Sequence, residues 1–210
     1  MVSGNLKGIV IKHIRLNDSD IIIKILSLHN GLIDAIVKGA RKIPSKKGGS
    51  VDLLNHILAH IVNGKSLNIL TEVEVVDDYL SIKKDLFKVS LVYYLFEILV
   101  SAEYDEIECS KIYLNLIIVL DRLKKSKSKL TSVLVIKIFE LQYLELTGYK
   151  MQIPDKLEFK DLFEAVSTNN LEKLINIKYN AKSVKKLSDA VQVYTETVMD
   201  RKFKKVNLLV

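Results

Sequence analysis

The densest run of chemistry-bearing side chains is Lys38 to Lys47 (KGARKIPSKK), with Lys38, Arg41, Lys42, Lys46 and Lys47 and no acid. Such side chains do not trade protons near neutrality; they hold anions. Gly39, Pro44 and Gly48-Gly49 put the run in a loop over residues 39–52, where the charges can splay toward one face. A polyanion docked there would release counterions from up to five phosphates, and its affinity would fall steeply with salt. The alternative is a solvated loop, but surface cations are ordinarily mixed with acids, and along the chain the nearest acids are Asp34 and Asp52.

Two further basic runs are Arg122 to Lys129 (RLKKSKSK) and Arg201 to Lys205 (RKFKK). Each reads first as a solvated helix end, because cations favour helix C-termini. The first also offers a grip for an acidic peptide, through Arg122, Lys125 and Lys129.

Other chemistries find no frame. His56 and His60 are four apart, but Ile57 stands where a metalloprotease helix needs Glu, and the segment reads as a strand. Four residues along a strand span roughly 13 Å, too far for one metal, so the two read as surface or edge histidines. Gly39 is not followed by the second glycine and Lys-Ser/Thr pair of a phosphate-binding P-loop. Nothing frames a nucleophilic serine, no dinucleotide fingerprint appears, and the carboxylates are scattered among lysines. We therefore expect no catalytic residues and no metal ligands. Cys109 is the single cysteine, so no intramolecular disulfide forms, which suits a reducing compartment.

The elements that must position the basic loop are strands. Up to residue 80, short β-branched runs alternate with turn signals: 8–16, 21–28, 32–38, 53–62 and 67–76. Asn17 to Asp20 is a turn, and Asn30-Gly31 offers the positive backbone angles of a tight hairpin. In the fifth run Leu67, Ile69, Thr71, Val73 and Val75 are expected to share a face. Five strands in so short a stretch need closure, because an open sheet exposes its edges. A five-stranded barrel of the OB type does this, and an SH3-like barrel is its rival.

Beyond residue 80 the period becomes helical. Residues 85–101 are apolar almost all round and predict a central buried helix. Further helices are expected over 110–125, 130–147 (stopped by Gly148), 159–166, 171–177 and 183–203. The fold class is thus α+β: a barrel in residues 1–79 and a helical domain in 80–210.

With 210 residues, 49% hydrophobic and 27% charged, the chain can bury a real core. Its formal net charge of +7 favours polyanionic partners. No signal peptide is read at Met1–Leu6, and no apolar run reaches membrane-spanning length. Residues 1–78 contain no aromatic residue, so the stacking platform common in single-strand binders is missing.

Several segments line up with one family: Gly8-Ile9-Val10, Asp18-Ser19-Asp20-Ile21-Ile22-Ile23, His29-Asn30-Gly31 and, most specifically, Val37-Lys38-Gly39-Ala40-Arg41. Tyr93 to Leu99 and the Phe139-Glu140 to Gly148-Tyr149 stretch match further on. On these the chain resembles the RecO family of bacterial DNA repair proteins, which are recombination mediators. The resemblance implies an OB domain followed by a helical domain. It implies binding of single- and double-stranded DNA, annealing of complementary strands, partnership with RecR, contact with the acidic C-terminal tail of single-stranded DNA-binding protein, and help in loading RecA. DNA contact carries over to Lys38 and Arg41; Lys42, Lys46 and Lys47 extend it by charge. A cytoplasmic, nucleoid-associated bacterial protein is expected. Many members carry a four-cysteine zinc module after the Gly-Tyr segment, but residues 150–168 hold no cysteine, so no zinc and no other cofactor is expected. The rival reading is an adaptor whose positive surface meets acidic protein tails without touching DNA.

Overall fold

The computed structural model describes residues 3–41, 46–102, 104, 106–153 and 157–204. The chain divides into two compact units: Met1–Leu80 with Ala102–Leu114, and Ser81–Ser101 with Asn115–Val210.

Five strands form the first unit: β1 (Gly4–Arg15), β2 (Ile21–Ser27), β3 (Leu32–Val37), β4 (His56–Val62) and β5 (Asn68–Asp77). They close in the order β1-β2-β3-β5-β4. The parallel β3–β5 pairing, Ala35 opposite Asn68 and Ile36 opposite Ile69, together with antiparallel β1–β4, is the OB closure. The β-branched residues that signalled the strands fill the interior: Val10, Ile23, Ile25, Ile33, Val37, Ile57 and Ile61.

Strand β1 serves two neighbours, pairing with β4 through Gly4–Ile9 and with β2 through Gly8–Arg15. Gly8 sits where the two ladders overlap. A Cβ there would collide with Ile25 Cγ2 and meet the Leu26 carbonyl oxygen at 2.7 Å. Gly8→Ala therefore forces the β1–β2 ladder apart, and we expect a loss of about 1–3 kcal/mol in thermal or urea unfolding. A variant as stable as wild type would show that the strands part freely.

Several sequence expectations are corrected. Strand β1 starts at Gly4, ahead of the expected Gly8, and β4 starts at His56, behind Leu53. In the β2–β3 hairpin only Gly31 has a positive φ (70°); Asn30 does not share that conformation. In β5 the expected common face is broken. Asn68 and Leu70 are buried, and a register shift opposite His60–Ile61 flips the alternation so that Val73 packs on the core. One extra residue in a strand exchanges its two faces, which a period-two reading cannot see. Within the expected loop 39–52, Lys46–Ser50 form a short helix, α1.

The second unit holds α2 (Leu80–Lys83) from Ser81 onward, α3 (Leu86–Leu99), α5 (Lys129–Leu146), α6 (Lys160–Ser167), α7 (Leu171–Asn176) and α8 (Ala181–Val198), with the later half of α4 (Glu106–Lys125). The most enclosed helix is α5, not the expected α3. Every residue of α5 from Ser132 to Leu141 is buried, whereas on α3 Leu86 is 86% exposed and Tyr93 49%. The Asp85 carboxylate caps α3 by accepting from the Phe87 and Lys88 amides. At the end of α5, Gly148 takes φ 86°, and the Gly148 and Tyr149 amides donate to the Glu145 and Leu144 carbonyls, which accounts for the Gly-Tyr stop.

Helix α8 ends at Val198 rather than Phe203. Asp200 adopts φ 46°, the Arg201 amide donates to the Glu196 carbonyl, and the chain turns back to bury Phe203 edge-on against Tyr94, with ring centroids 6.2 Å apart. Glu196 fastens this return. Its carboxylate accepts from Lys202 Nζ at 2.7 Å, Gln192 Nε2 at 2.9 Å and the Phe203 amide at 3.2 Å. These bonds, Lys202 first, hold the Glu196 carboxyl down at about 2, well below its ordinary 4.5. A depressed carboxyl contributes stability that is complete above its unfolded value and lost as pH falls through the folded one. The stability of this unit should therefore drop between about pH 4.5 and 2, and Glu196→Gln should flatten that drop in an acid titration followed by circular dichroism. An unchanged acid limb in the variant would remove the carboxylate from the account.

Candidate nucleic-acid interface

The segment Lys38-Gly39-Ala40-Arg41 follows β3 directly, and each residue has a task. Gly39 bends the chain at φ 70°, a left-handed angle that glycine adopts without strain. Ala40 turns back into the barrel and is 8% exposed, as part of the core. Lys38 and Arg41 are left exposed on either side.

The β1–β2 turn holds this segment in place. Asn17 Oδ1 accepts from the Ser19 and Asp20 amides at 2.8 and 2.7 Å, shaping the turn locally. Asp20 Oδ1 then accepts from the Gly39 amide at 2.8 Å. The Ser19 carbonyl accepts from the Arg41 amide, and the Asn17 carbonyl accepts from the Arg41 guanidinium, both at 3.0 Å. A guanidinium carries five donors, so a group anchored through one nitrogen can still fork onto a phosphate. Asp20 is also an acid that the sequence reading did not count beside the basic run.

Of the other expected contacts in the loop, Lys42 lies outside the described residues. Lys46 and Lys47 open α1, and their side chains likewise lie outside what is described.

The expected peptide grip lies in the helical unit. Arg122 donates to Asn169 Oδ1 at 2.6 Å and is half-buried, so it ties α4 to the α6–α7 turn. Lys129 Nζ lies 5.4 Å from the centre of the Phe87 ring, a cation–π contact. Lys125 is exposed. In the third basic run, Lys202 is paired with Glu196 and Arg201 lies over Phe203; Lys205 is outside the described residues.

The histidines take separate partners. His56 is buried, which corrects its reading as a surface or edge residue. Its Nε2 hydrogen-bonds Tyr113 Oη at 2.7 Å, and burial pushes the Tyr113 hydroxyl up to about 12. His60 Nδ1 lies 2.9 Å from Thr71 Oγ1. Among the described residues no three His, Cys, Asp or Glu side chains group as a metal site, and no helix is long and apolar enough to cross a membrane.

Sequence reasoning missed the outer surface of the barrel itself. Lys12 and Lys24 are neighbours across β1 and β2, and Lys24 pairs with Asp34 at 2.8 Å. Only strand pairing brings them together; nothing in their spacing along the chain signals it.

The family model described as "Recombination protein O N terminal" matches residues 1–79. Several curated relatives carry the name DNA repair protein RecO. The one from Symbiobacterium thermophilum is 30% identical over 98 residues, which is 47% of this chain and 39% of that protein. The one from Gloeothece citriformis is 38% identical over 96 residues, covering 45% and 33%. The one from Dehalococcoides mccartyi is 24% identical over 147 residues, covering 70% and 57%. The matched stretch thus spans from a third to somewhat over half of these relatives' length.

Proposed function

Because this chain belongs to the RecO family of DNA repair proteins, we propose that it binds single- and double-stranded DNA through its barrel and anneals complementary strands without a catalytic centre. The observation that carries this reading is the anchored turn. Two hydrogen bonds from Arg41 and one from Gly39 fix a segment whose two cations point away from the core. Cations held on a rigid barrel meet phosphates without first being ordered, so less entropy is lost on binding. Cations shared by two strands lower the mutual repulsion of their phosphates, and that repulsion is what slows annealing.

With no aromatic residue before Tyr79, contact is dominated by phosphates and nearly blind to sequence. The helical domain would meet protein partners: RecR, and the acidic C-terminal tail of single-stranded DNA-binding protein, with RecA loaded onto the exposed strand. For the tail, the exposed Lys125 is the better anchor of the three candidates, since Arg122 and Lys129 already serve Asn169 and Phe87. A cytoplasmic, nucleoid-associated location follows from DNA as the ligand.

The residues present do not fit the zinc module of many members. Cys109 is the single cysteine, it is buried, and residues 149–170 contain neither cysteine nor histidine. No step proposed here uses a metal.

Strand annealing of labelled oligonucleotides coated with single-stranded DNA-binding protein, across a salt series, tests the reading. We expect the protein to accelerate annealing at low salt and to lose that effect as salt rises. Annealing no faster than the uncatalysed rate, with tail-peptide binding intact, would favour the adaptor.

A further inference from the structure

Strand pairing sorts the outer surface of β1, β2 and β3 into rows. Lys12, Lys24 and Asp34 form one. Two residues further along, Ile14, Ile22 and Ile36 form the next, and Ile36 continues it to Ile69 on β5. Beyond that row the same faces end in Leu16, Asp20 and Lys38 at the anchored turn. The core-facing residues Ile23, Ala35, Val37 and Leu70 occupy the alternate positions, so the isoleucine row points outward. Ile14 is 42% exposed, Leu16 46%, and Ile22 and Ile36 are partly exposed.

An apolar row across four strands on the outside of a barrel, with lysines in the rows on both sides, is not a solvated surface. A solvated face would carry polar residues where these isoleucines stand. Adjacent rows lie roughly 7 Å apart. That places an apolar strip between Lys12 and Lys24 on one side and Lys38 on the other, at a spacing suited to bases on the strip and phosphates beside it. The acids are partly engaged: Asp34 is paired to Lys24, and Asp20 accepts from Gly39 and Asn17.

We infer that the row Ile14–Ile22–Ile36–Ile69 is the base-contacting strip for single-stranded nucleic acid, an aliphatic substitute for the missing aromatic platform, with Lys12 and Lys38 on the flanking phosphates. This rests on the reading that the barrel binds nucleic acid. It adds that single strands, whose bases can be splayed out, gain a contact that duplexes lack.

The chain has no tryptophan, so Ile14→Trp creates a unique reporter. Its emission should be quenched saturably by a single-stranded oligonucleotide and not by a duplex, with single-strand affinity several-fold tighter than wild type. The pair Ile14→Ser with Ile22→Ser should weaken single-strand binding roughly tenfold and leave the salt slope unchanged, because no charge is removed. Unquenched emission from the Ile14→Trp indole, at oligonucleotide concentrations that saturate binding, would overturn the inference. So would a serine pair that binds single strands like wild type, whether or not it changed self-association. Either result, with salt-dependent binding of wild type intact, fails the strip alone; no binding by wild type fails the function reading itself.

Discussion

Glu140→Ala should destabilise the helical unit by about 3–5 kcal/mol, the cost of leaving a buried charge without its partner. Glu140 is fully buried on α5, and its two oxygens serve three elements. Oε1 accepts from Tyr94 Oη of α3 at 2.5 Å and from Thr195 Oγ1 of α8 at 2.6 Å; Oε2 accepts from Lys137 Nζ at 2.6 Å. Lys137 is itself only 4% exposed and lies 4.7 Å from the centre of the Tyr94 ring. Burial, followed by the Glu140 charge, raises the Tyr94 hydroxyl well above its usual range, so it remains a donor. Removing the carboxylate strands the Lys137 ammonium and the Tyr94 hydroxyl in an apolar interior, while the Thr195 hydroxyl keeps the Val191 carbonyl at 3.0 Å. At about 2–4 °C per kcal/mol for a chain of this size, the melting midpoint should fall by roughly 6–20 °C. The double change Lys137→Met with Glu140→Leu should recover part of the loss, because it removes both charges and fills the space but leaves the Tyr94 hydroxyl without its acceptor. A loss under about 1 kcal/mol for Glu140→Ala, in thermal unfolding followed by circular dichroism, would mean that the unit relaxes to admit water.

That network shows where sequence reading stops. The strands and the helices of this chain were legible because each repeats a pattern within itself: β-branched runs closed by turn residues, then apolar residues at three- and four-residue spacing. Closure was legible as a need, but the choice between two barrels required the β3–β5 pairing, a contact between segments about thirty residues apart. The bulge opposite His60–Ile61 and the return of Phe203 went unread because each follows from one local backbone angle or one inserted residue, not from a period. The candidate site divides in the same way. Lys38 and Arg41 were legible as charge and as a family motif. Their anchoring by Asn17 to Asp20, and the row of isoleucines beside them, depend on which residues lie opposite one another across strands. Glu140 and Lys137, three apart on α5, carry no pattern of their own along the chain; their burial follows from the packing of α3 and α8 on α5.

Replacing Lys38, Arg41, Lys42, Lys46 and Lys47 together with Ala should flatten the salt dependence of DNA binding by a predictable amount. For single strands each phosphate contact contributes about 0.7 to the slope of log affinity against log salt, so five contribute about 3.5. Between about 50 and 200 mM salt, a fourfold change, wild type should then lose roughly a hundredfold more affinity than the variant. Lys38 and Arg41 alone should account for about 1.4 of that slope, and they are the two whose exposure and anchoring the fold makes plain. Arg41 also braces the β1–β2 turn, so its loss has two routes to an effect, shape and charge. Arg41→Gln separates the two, since it removes the charge and keeps a donor for the Asn17 carbonyl. If Arg41 acts through charge, Gln and Ala lower the slope equally. If it acts only as a brace, Gln restores wild-type binding, and the phosphate contacts pass to the lysines. A five-fold variant with the wild-type slope would take the whole loop out of the interface and leave the outer rows of the barrel, Lys12 and Lys24 first, as the source of the charge.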